Sequence, residues 1–304
     1  MKVAIAGPGG LGRYLLEEIP KEGHEVVALT RSHKTFLERL GIVQCITDYT
    51  VPNLQTHLSD CDAVVCTLQD ESPDFTSVQL AILEACKRSE RCKRFIPSVW
   101  AGNIQDVPDQ PIATGNKLDP VLEATRSQNE VKYTIFCPGW FCDYLVPANQ
   151  RYFKDLGDCW PQDYKNKVFT LYGRGTQSLD LTSARDAARA VGALLNHDSA
   201  TWEPYTYVSG TQTTWYGLWE MIKSRDPEYN LRQKSLAQSI QQLMAKEDEQ
   251  SVVVAMYEIM AHSEALYNPP ERISRHKEKY FKHVEFRSIG GFMDQVAAHP
   301  GTVV

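Results

Sequence analysis

The 304-residue chain lacks the spacings that mark a metal centre. Its eight cysteines (Cys45, Cys61, Cys66, Cys86, Cys92, Cys137, Cys142 and Cys159) include no C-x-x-C pair, and its eight histidines include no H-x-x-x-H pair. No metal is therefore expected. The cysteines, several of them inside apolar runs, read as small buried hydrophobes in a reducing compartment. No apolar run approaches the ~18 residues of a membrane span, and the first apolar stretch is too short for a secretory signal. A net charge of −6 gives no basic surface for nucleic acid. Internal repeats and low-complexity linkers are also missing. These absences leave a cytoplasmic protein with a small-molecule partner, no nucleic acid and no membrane, and its oligomeric state is not readable. Apolar content of 42% is ordinary for a chain that buries a sizeable core.

What is present begins at residue 2. Lys2-Val3-Ala4-Ile5-Ala6 is a short apolar run that reads as a buried strand. Gly7-Pro8-Gly9-Gly10-Leu11-Gly12 follows, then a helix whose Leu11, Tyr14, Leu15 and Ile19 recur at helical spacing. Gly7, Gly9 and Gly12 match the dinucleotide fingerprint G-x-G-x-x-G in its proper setting, strand before and helix after. Gly7 would permit the turn, Gly9 the approach of backbone to a pyrophosphate, and Gly12 close packing of helix on strand. The helix start would offer its N–H groups to the phosphates. The other reading is a flexible turn at the start of the chain.

His24 to Thr30 is a second strand, ending where an NAD-binding fold would place an acidic residue on the ribose 2′-hydroxyl. Here the residues are Thr30-Arg31-Ser32-His33-Lys34. With no carboxylate at that place and a cationic fork available, the expected cofactor is NADP(H). The alternative for Arg31, His33 and Lys34 is a solvated helix start.

Further strands are expected at Gly41–Tyr49, Ala63–Leu68, Arg94–Trp100 and Tyr133–Gly139, with a helix from Phe75 through Val78, Ile82 and Ala85. Strands alternating with helices over some 140 residues specify an α/β fold, a doubly wound parallel Rossmann sheet with a smaller, mostly helical second lobe. Ligands bind such sheets outside the carboxyl ends of the strands. Expected cofactor contacts are therefore Gly7, Gly9, Gly10, Leu11, Gly12, Thr30, Arg31, Ser32, Lys34, Thr67, Leu68, Gln69, Ser98, Val99, Cys137, Pro138 and Gly139. Trp100, Trp140, Phe141 and Tyr144 are expected substrate contacts, opening an aromatic-rich stretch that runs to Tyr172 and serves equally well as plain core.

The nucleotide-binding domain is expected over 1–140, with 182–208 returning to it, and the substrate lobe over 141–181 and 209–304. Thr182-Ser183-Ala184-Arg185-Asp186 has the form of a capping box for a helix through Ala187, Val191, Leu194 and Leu195. Leu236, Ile240, Leu243 and Met244, then Val252, Met256, Ile259 and Met260, mark two amphipathic helices.

The chain resembles the NmrA-like proteins, an atypical branch of the short-chain dehydrogenases/reductases that includes isoflavone-reductase-like enzymes. The resemblance spans nearly the whole length. It rests on Ala6–Arg13, Leu29–Ser32, Lys93–Ser98, Cys137–Phe141 and Thr182–Arg189. Two features depart from it. Arg13 stands at the place of the last glycine in the family's usual G-x-x-G-x-x-G. Ser98-Val99-Trp100 stands where relatives often carry Ser-Glu-Phe or Ser-Glu-Trp, so a carboxylate beside the nicotinamide edge is lost.

Ordinary short-chain dehydrogenases use a Tyr-x-x-x-Lys pair, and no tyrosine here has a lysine four residues on. The resemblance instead implies Lys117, in Thr114-Gly115-Asn116-Lys117-Leu118, as the residue beside the nicotinamide. It would be both a cofactor contact and the acid or oxyanion-stabilising group, and partial burial beside a helix start would tune it. The other reading of Lys117 is an exposed surface lysine. Cys137 and Cys142 have no histidine partner in evidence and are not expected to act as nucleophiles. The implied activity is NADPH-dependent reduction of a small organic substrate, aromatic or alkaloid-like, of secondary metabolism. Two alternatives stay open: a redox-neutral isomerase or cyclase that uses NADP(H) transiently, and a non-catalytic NADP sensor.

Overall fold

The computed structural model describes residues 1–69, 74–111 and 117–304. Its first half alternates β1 (Lys2–Ala6), α1 (Gly10–Glu18), β2 (Glu25–Thr30), α2 (Thr35–Arg39), β3 (Val43–Ile46) and α3 (Val51–Leu58). It continues with β4 (Ala63–Cys66), α4 (Phe75–Arg88), β5 (Arg94–Ile96), α5 (Asp119–Arg126), β6 (Lys132–Tyr133) and β7 (Ile135–Cys137). Among the described residues, six strands form one sheet in the order β3-β2-β1-β4-β5-β6, every pairing parallel.

The sheet is buried on both faces, as its apolar runs require. Val3 and Ile5 of β1 pack with Leu11 and Leu15 of α1, whereas Ala4 and Ala6 point the other way, towards Leu54, Leu58 and Ile82. Successive strand residues alternate sides, so one apolar pentapeptide serves two cores.

The second half runs β8 (Trp140–Phe141), β9 (Gln162–Asp163), β10 (Val168–Tyr172), β11 (Ser178–Thr182), α6 (Ala184–Leu195), β12 (Tyr205–Tyr207) and β13 (Thr211–Thr214). After these come α7 (Trp215–Arg225), β14 (Asn230–Lys234), α8 (Leu236–Ala245), α9 (Glu249–Ala261), α10 (Pro270–Tyr280) and α11 (Ile289–Ala298). Besides the helices, this lobe holds two three-stranded sheets, β14-β10-β9 and β13-β11-β8. Helix α6 lies in the same core as β1 and α1, through Ala187, Val191 and Leu194. Buried Glu18 of α1 accepts hydrogen bonds from Arg185 and Arg189 of α6.

Three local expectations are corrected. The strand expected over Tyr133–Gly139 is broken at Thr134: β6 pairs with β5, and β7 pairs with β12 instead. Thr134 marks the change of partner, its hydroxyl 2.8 Å from that of Thr206. The capping box at α6 does not form. Ser183 makes no side-chain cap, and the first helical N–H, that of Ala184, is capped by the Asp143 carboxylate at 2.7 Å. Asp186 turns to the Arg287 guanidinium at 3.0 Å. The helix start is buried against a loop that brings its own carboxylate, so the local residues are drawn elsewhere. Third, α8 does not bury its apolar stripe: Leu236, Ile240 and Met244 are exposed, and Ser239 is the residue it buries.

One buried acid sets a pH dependence. Asp180 of β11 is fully buried and accepts the Asn268 main-chain N–H, and burial raises its carboxyl from 3.8 to about 6. An unfolded aspartate titrates near 3.9, so below that pH both states are protonated and nothing is lost. As pH rises through about 6 the folded chain carries a buried charge, and stability falls. Asp180→Asn keeps an acceptor for Asn268 without the charge. The variant is expected to gain up to roughly 2–3 kcal/mol over the native chain at pH 8 and much less at pH 4.5. Thermal melts at the two pH values check this; an equal change at both would contradict it.

Candidate cofactor and active site

The glycine turn is built as the fingerprint requires. Gly7 has φ +87°, a left-handed conformation that an L side chain would strain, and an added Cβ would lie 3.0 Å from the Thr67 carbonyl. An added Cβ on Gly12 would lie 2.5 Å from the Gly7 carbonyl oxygen, so only glycine lets α1 sit this close to the turn. The Thr67 hydroxyl donates to that same carbonyl at 2.6 Å, locking the turn to the end of β4. Gly9 faces open space, with nothing within 4 Å of where a Cβ would be. It precedes α1 and offers no side-chain cap; of the next residues, Gly10 packs against the Phe153 ring and Leu11 and Gly12 are buried outside the cleft.

Beside this turn opens a cleft of about 440 Å³. Its walls bring together Gly7, Gly9, Thr30, Arg31, Lys34, Thr67, Leu68 and Gln69, all expected cofactor contacts. Pro8 and Tyr49 complete the lining. Tyr49 was not foreseen. Its hydroxyl donates to the Leu29 carbonyl at 2.8 Å, and its ring lies 5.5 Å from the Arg31 guanidinium carbon. Ser32 is exposed next to the cleft, its carbonyl accepting from the Thr30 hydroxyl.

No carboxylate stands at the end of β2 itself, but one reaches Arg31 from elsewhere in the chain. Asp74, immediately before α4, takes a hydrogen bond from Arg31 Nη2 at 2.9 Å. The partner lies 43 residues along the chain, beyond the reach of any local motif.

On the β5 side, Ser98 is committed to the scaffold: its hydroxyl donates to the Leu68 carbonyl at 2.7 Å and its N–H to Gln79 Oε1 at 2.7 Å. The Val99 N–H turns back to the Pro97 carbonyl. Trp100 has φ +40° and donates its indole N–H to the Cys66 carbonyl at 2.8 Å, its ring against Phe136. It thus lies across the ends of β4 and β7. At the end of β7 the Cys137 carbonyl accepts from the Val208 N–H and Asn268 Nδ2, and the Pro138 carbonyl accepts from the Thr182 hydroxyl. Gly139 packs directly on Asp180.

The aromatics divide between the two cores. Trp140 is buried among Trp160, Trp215 and Tyr257. Phe141 is buried against Phe153, and half-buried Tyr144 stacks on that same ring. Burial raises the Cys137 and Cys142 thiols, and pushes Cys61 and Cys66 up to about 12, which suits inert core residues.

Thr114, Gly115 and Asn116 of the lysine segment lie outside the described residues, as does Pro73 of the loop before α4. Lys117 itself is exposed, so the partial burial expected of it is not found. Its carbonyl accepts the Thr76 hydroxyl from the first turn of α4 at 2.6 Å, which fixes its main chain to the helix start that also carries Asp74.

Residues 7–157 match a family described as NAD(P)H-binding. The oxidoreductase swnR of Arthroderma benhamiae is 38% identical over 305 residues, covering 100% of both chains. The swnR of Metarhizium robertsii is 36% identical at the same coverage. Among solved structures, leucoanthocyanidin reductase from Vitis vinifera in its binary complex with NADPH superimposes with a TM-score of 0.74. It shares 18% identity, and the match covers 98% of this chain and 100% of that one. No helix among the described residues is long and apolar enough to cross a membrane. The chain belongs to the family of the fungal swnR oxidoreductases, full-length relatives, and is more distantly similar to the isoflavone reductase homologue A622 of Nicotiana tabacum, 25% identical over 152 residues.

Proposed function

We propose that this oxidoreductase uses NADPH to reduce a small aromatic or alkaloid-like metabolite in the cytoplasm. The observation that carries the reading is the cleft in which Arg31 and Lys34 stand beside the glycine turn. Two cations within reach of an adenosine ribose favour a cofactor bearing a 2′-phosphate. The residues at the glycine turn fit the adenosine and pyrophosphate part of such a cofactor: Gly9 leaves room for the pyrophosphate, and α1 starts there without a side-chain cap.

When bound, the cofactor supplies hydride. The chain's own residues then bind, orient and protonate. Arg31 and Lys34 would hold the adenosine end, and Thr67, Leu68 and Gln69 would line the ribose. Trp100, anchored to Cys66 and Phe136, forms a rigid floor at the other end of the sheet edge. Ser98 ties β4 to β5 beneath it. Lys117 would donate the proton to the substrate or stabilise its oxyanion. Cys137, Pro138 and Gly139 shape the wall through their main chain, and Trp140, Phe141 and Tyr144 support the aromatic lobe over which a flat substrate would lie.

The test is a screen of aromatic and nitrogen-heterocyclic carbonyl, imine and enone compounds, following NADPH absorbance with product formation. One NADPH consumed per product supports the reductase. Product formed with no net loss of NADPH would contradict it and indicate a redox-neutral rearrangement instead.

A further inference from the structure

The Arg31 guanidinium is engaged by a carboxylate from a distant part of the chain. Asp74 Oδ2 lies 2.9 Å from Arg31 Nη2, and the two side chains are each 51% exposed. We propose that Asp74 is the resident anion of Arg31, exchanged for the 2′-phosphate when NADPH binds, and so helps to determine the preference for NADPH over NADH. The inference rests on the NADPH reading above.

A carboxylate placed at the end of β2 would exclude a 2′-phosphate outright. Asp74 instead approaches from the start of α4, and an ion pair this exposed is weakly held, so it can part. Arg31 would keep its place when Asp74 leaves, because the Tyr49 ring lies against the guanidinium from within the cleft and is itself anchored to Leu29. The incoming phosphate is the stronger ligand, with nearly twice the charge and three acceptor oxygens for the guanidinium fork. Both anions cannot share that fork cheaply. NADPH must therefore displace Asp74, whereas NADH can bind with the pair intact.

The experiment is titration of native and Asp74→Asn protein with NADPH and with NADH, at low and at moderate salt. Asp74 precedes α4 and makes no side-chain cap there, and asparagine is equally suited to a helix start, so the variant is expected to fold. Removing the charge is expected to tighten NADPH about three- to tenfold and to leave NADH within about twofold. It also turns a neutral pair into a net positive site, so NADPH affinity of the variant falls more steeply with salt. Asp74→Ser is expected to reproduce both effects. If native protein prefers NADPH but the variants bind it no better, or less well, the exchange is overturned and the NADPH reading stands. If native protein shows no preference for NADPH, both are overturned.

Discussion

Replacing Lys117 by methionine is expected to lower kcat by about a hundred- to a thousandfold, the usual loss when one positioned donor to a developing oxyanion is removed. NADPH affinity is expected to change only a few fold. The assignment of Lys117 rests on chemistry and on the family resemblance. Transfer of hydride leaves negative charge on the substrate, and the chain has no Tyr-x-x-x-Lys pair to neutralise it. The Lys117 main chain is held by the Thr76 hydrogen bond at the start of α4, two residues before α5. Lys117→Arg keeps the charge but replaces the compact ammonium with a broader planar guanidinium, so it is expected to rescue binding more than turnover. Steady-state kinetics of both variants against NADPH and substrate check this. An unchanged kcat in the methionine variant would make Lys117 a surface residue.

Arg31→Ala carries the second large effect. A charge-assisted hydrogen bond contributes about 1.5–3 kcal/mol, so NADPH affinity is expected to fall roughly ten- to a hundredfold. NADH, which has no 2′-phosphate, should barely respond. Fluorescence titration of the two nucleotides distinguishes this from general damage to the cleft: an equal loss for both would mean that Arg31 does not hold the phosphate. Lys34 shares the same wall and is expected to give a smaller loss in the same direction.

Much of this site was legible before any coordinates because its signals are local. Gly7 is required by its own left-handed φ and Gly12 by the approach of the nearby Gly7 carbonyl, and β1 and β4 are apolar runs whose burial on both faces leaves no other reading. Asp74 was not legible. Its meaning lies in a contact with Arg31, and nothing near either residue announces the other. Tyr49 is similar: a tyrosine after a short strand says nothing of the guanidinium it will face.

The misread elements share a different cause. The apolar pattern from Tyr133 to Cys137 is continuous, yet the strand changes partners at Thr134, which periodicity cannot register. The capping box at Ser183 satisfies the local rule but loses to the Asp143 carboxylate, supplied by tertiary packing. Strands β8 and β9 span two residues each, too short to show alternation at all. For Trp140 and Phe141 the ambiguity is chemical, because a core and an aromatic pocket are made of the same side chains.

The most direct test of the central claim is titration of the native protein with NADPH and with NADH, following nicotinamide fluorescence. The account predicts saturable NADPH binding at least about tenfold tighter than NADH, the energy of a charged contact to one phosphate. Equal affinity for the two nucleotides, or binding of neither, would contradict it.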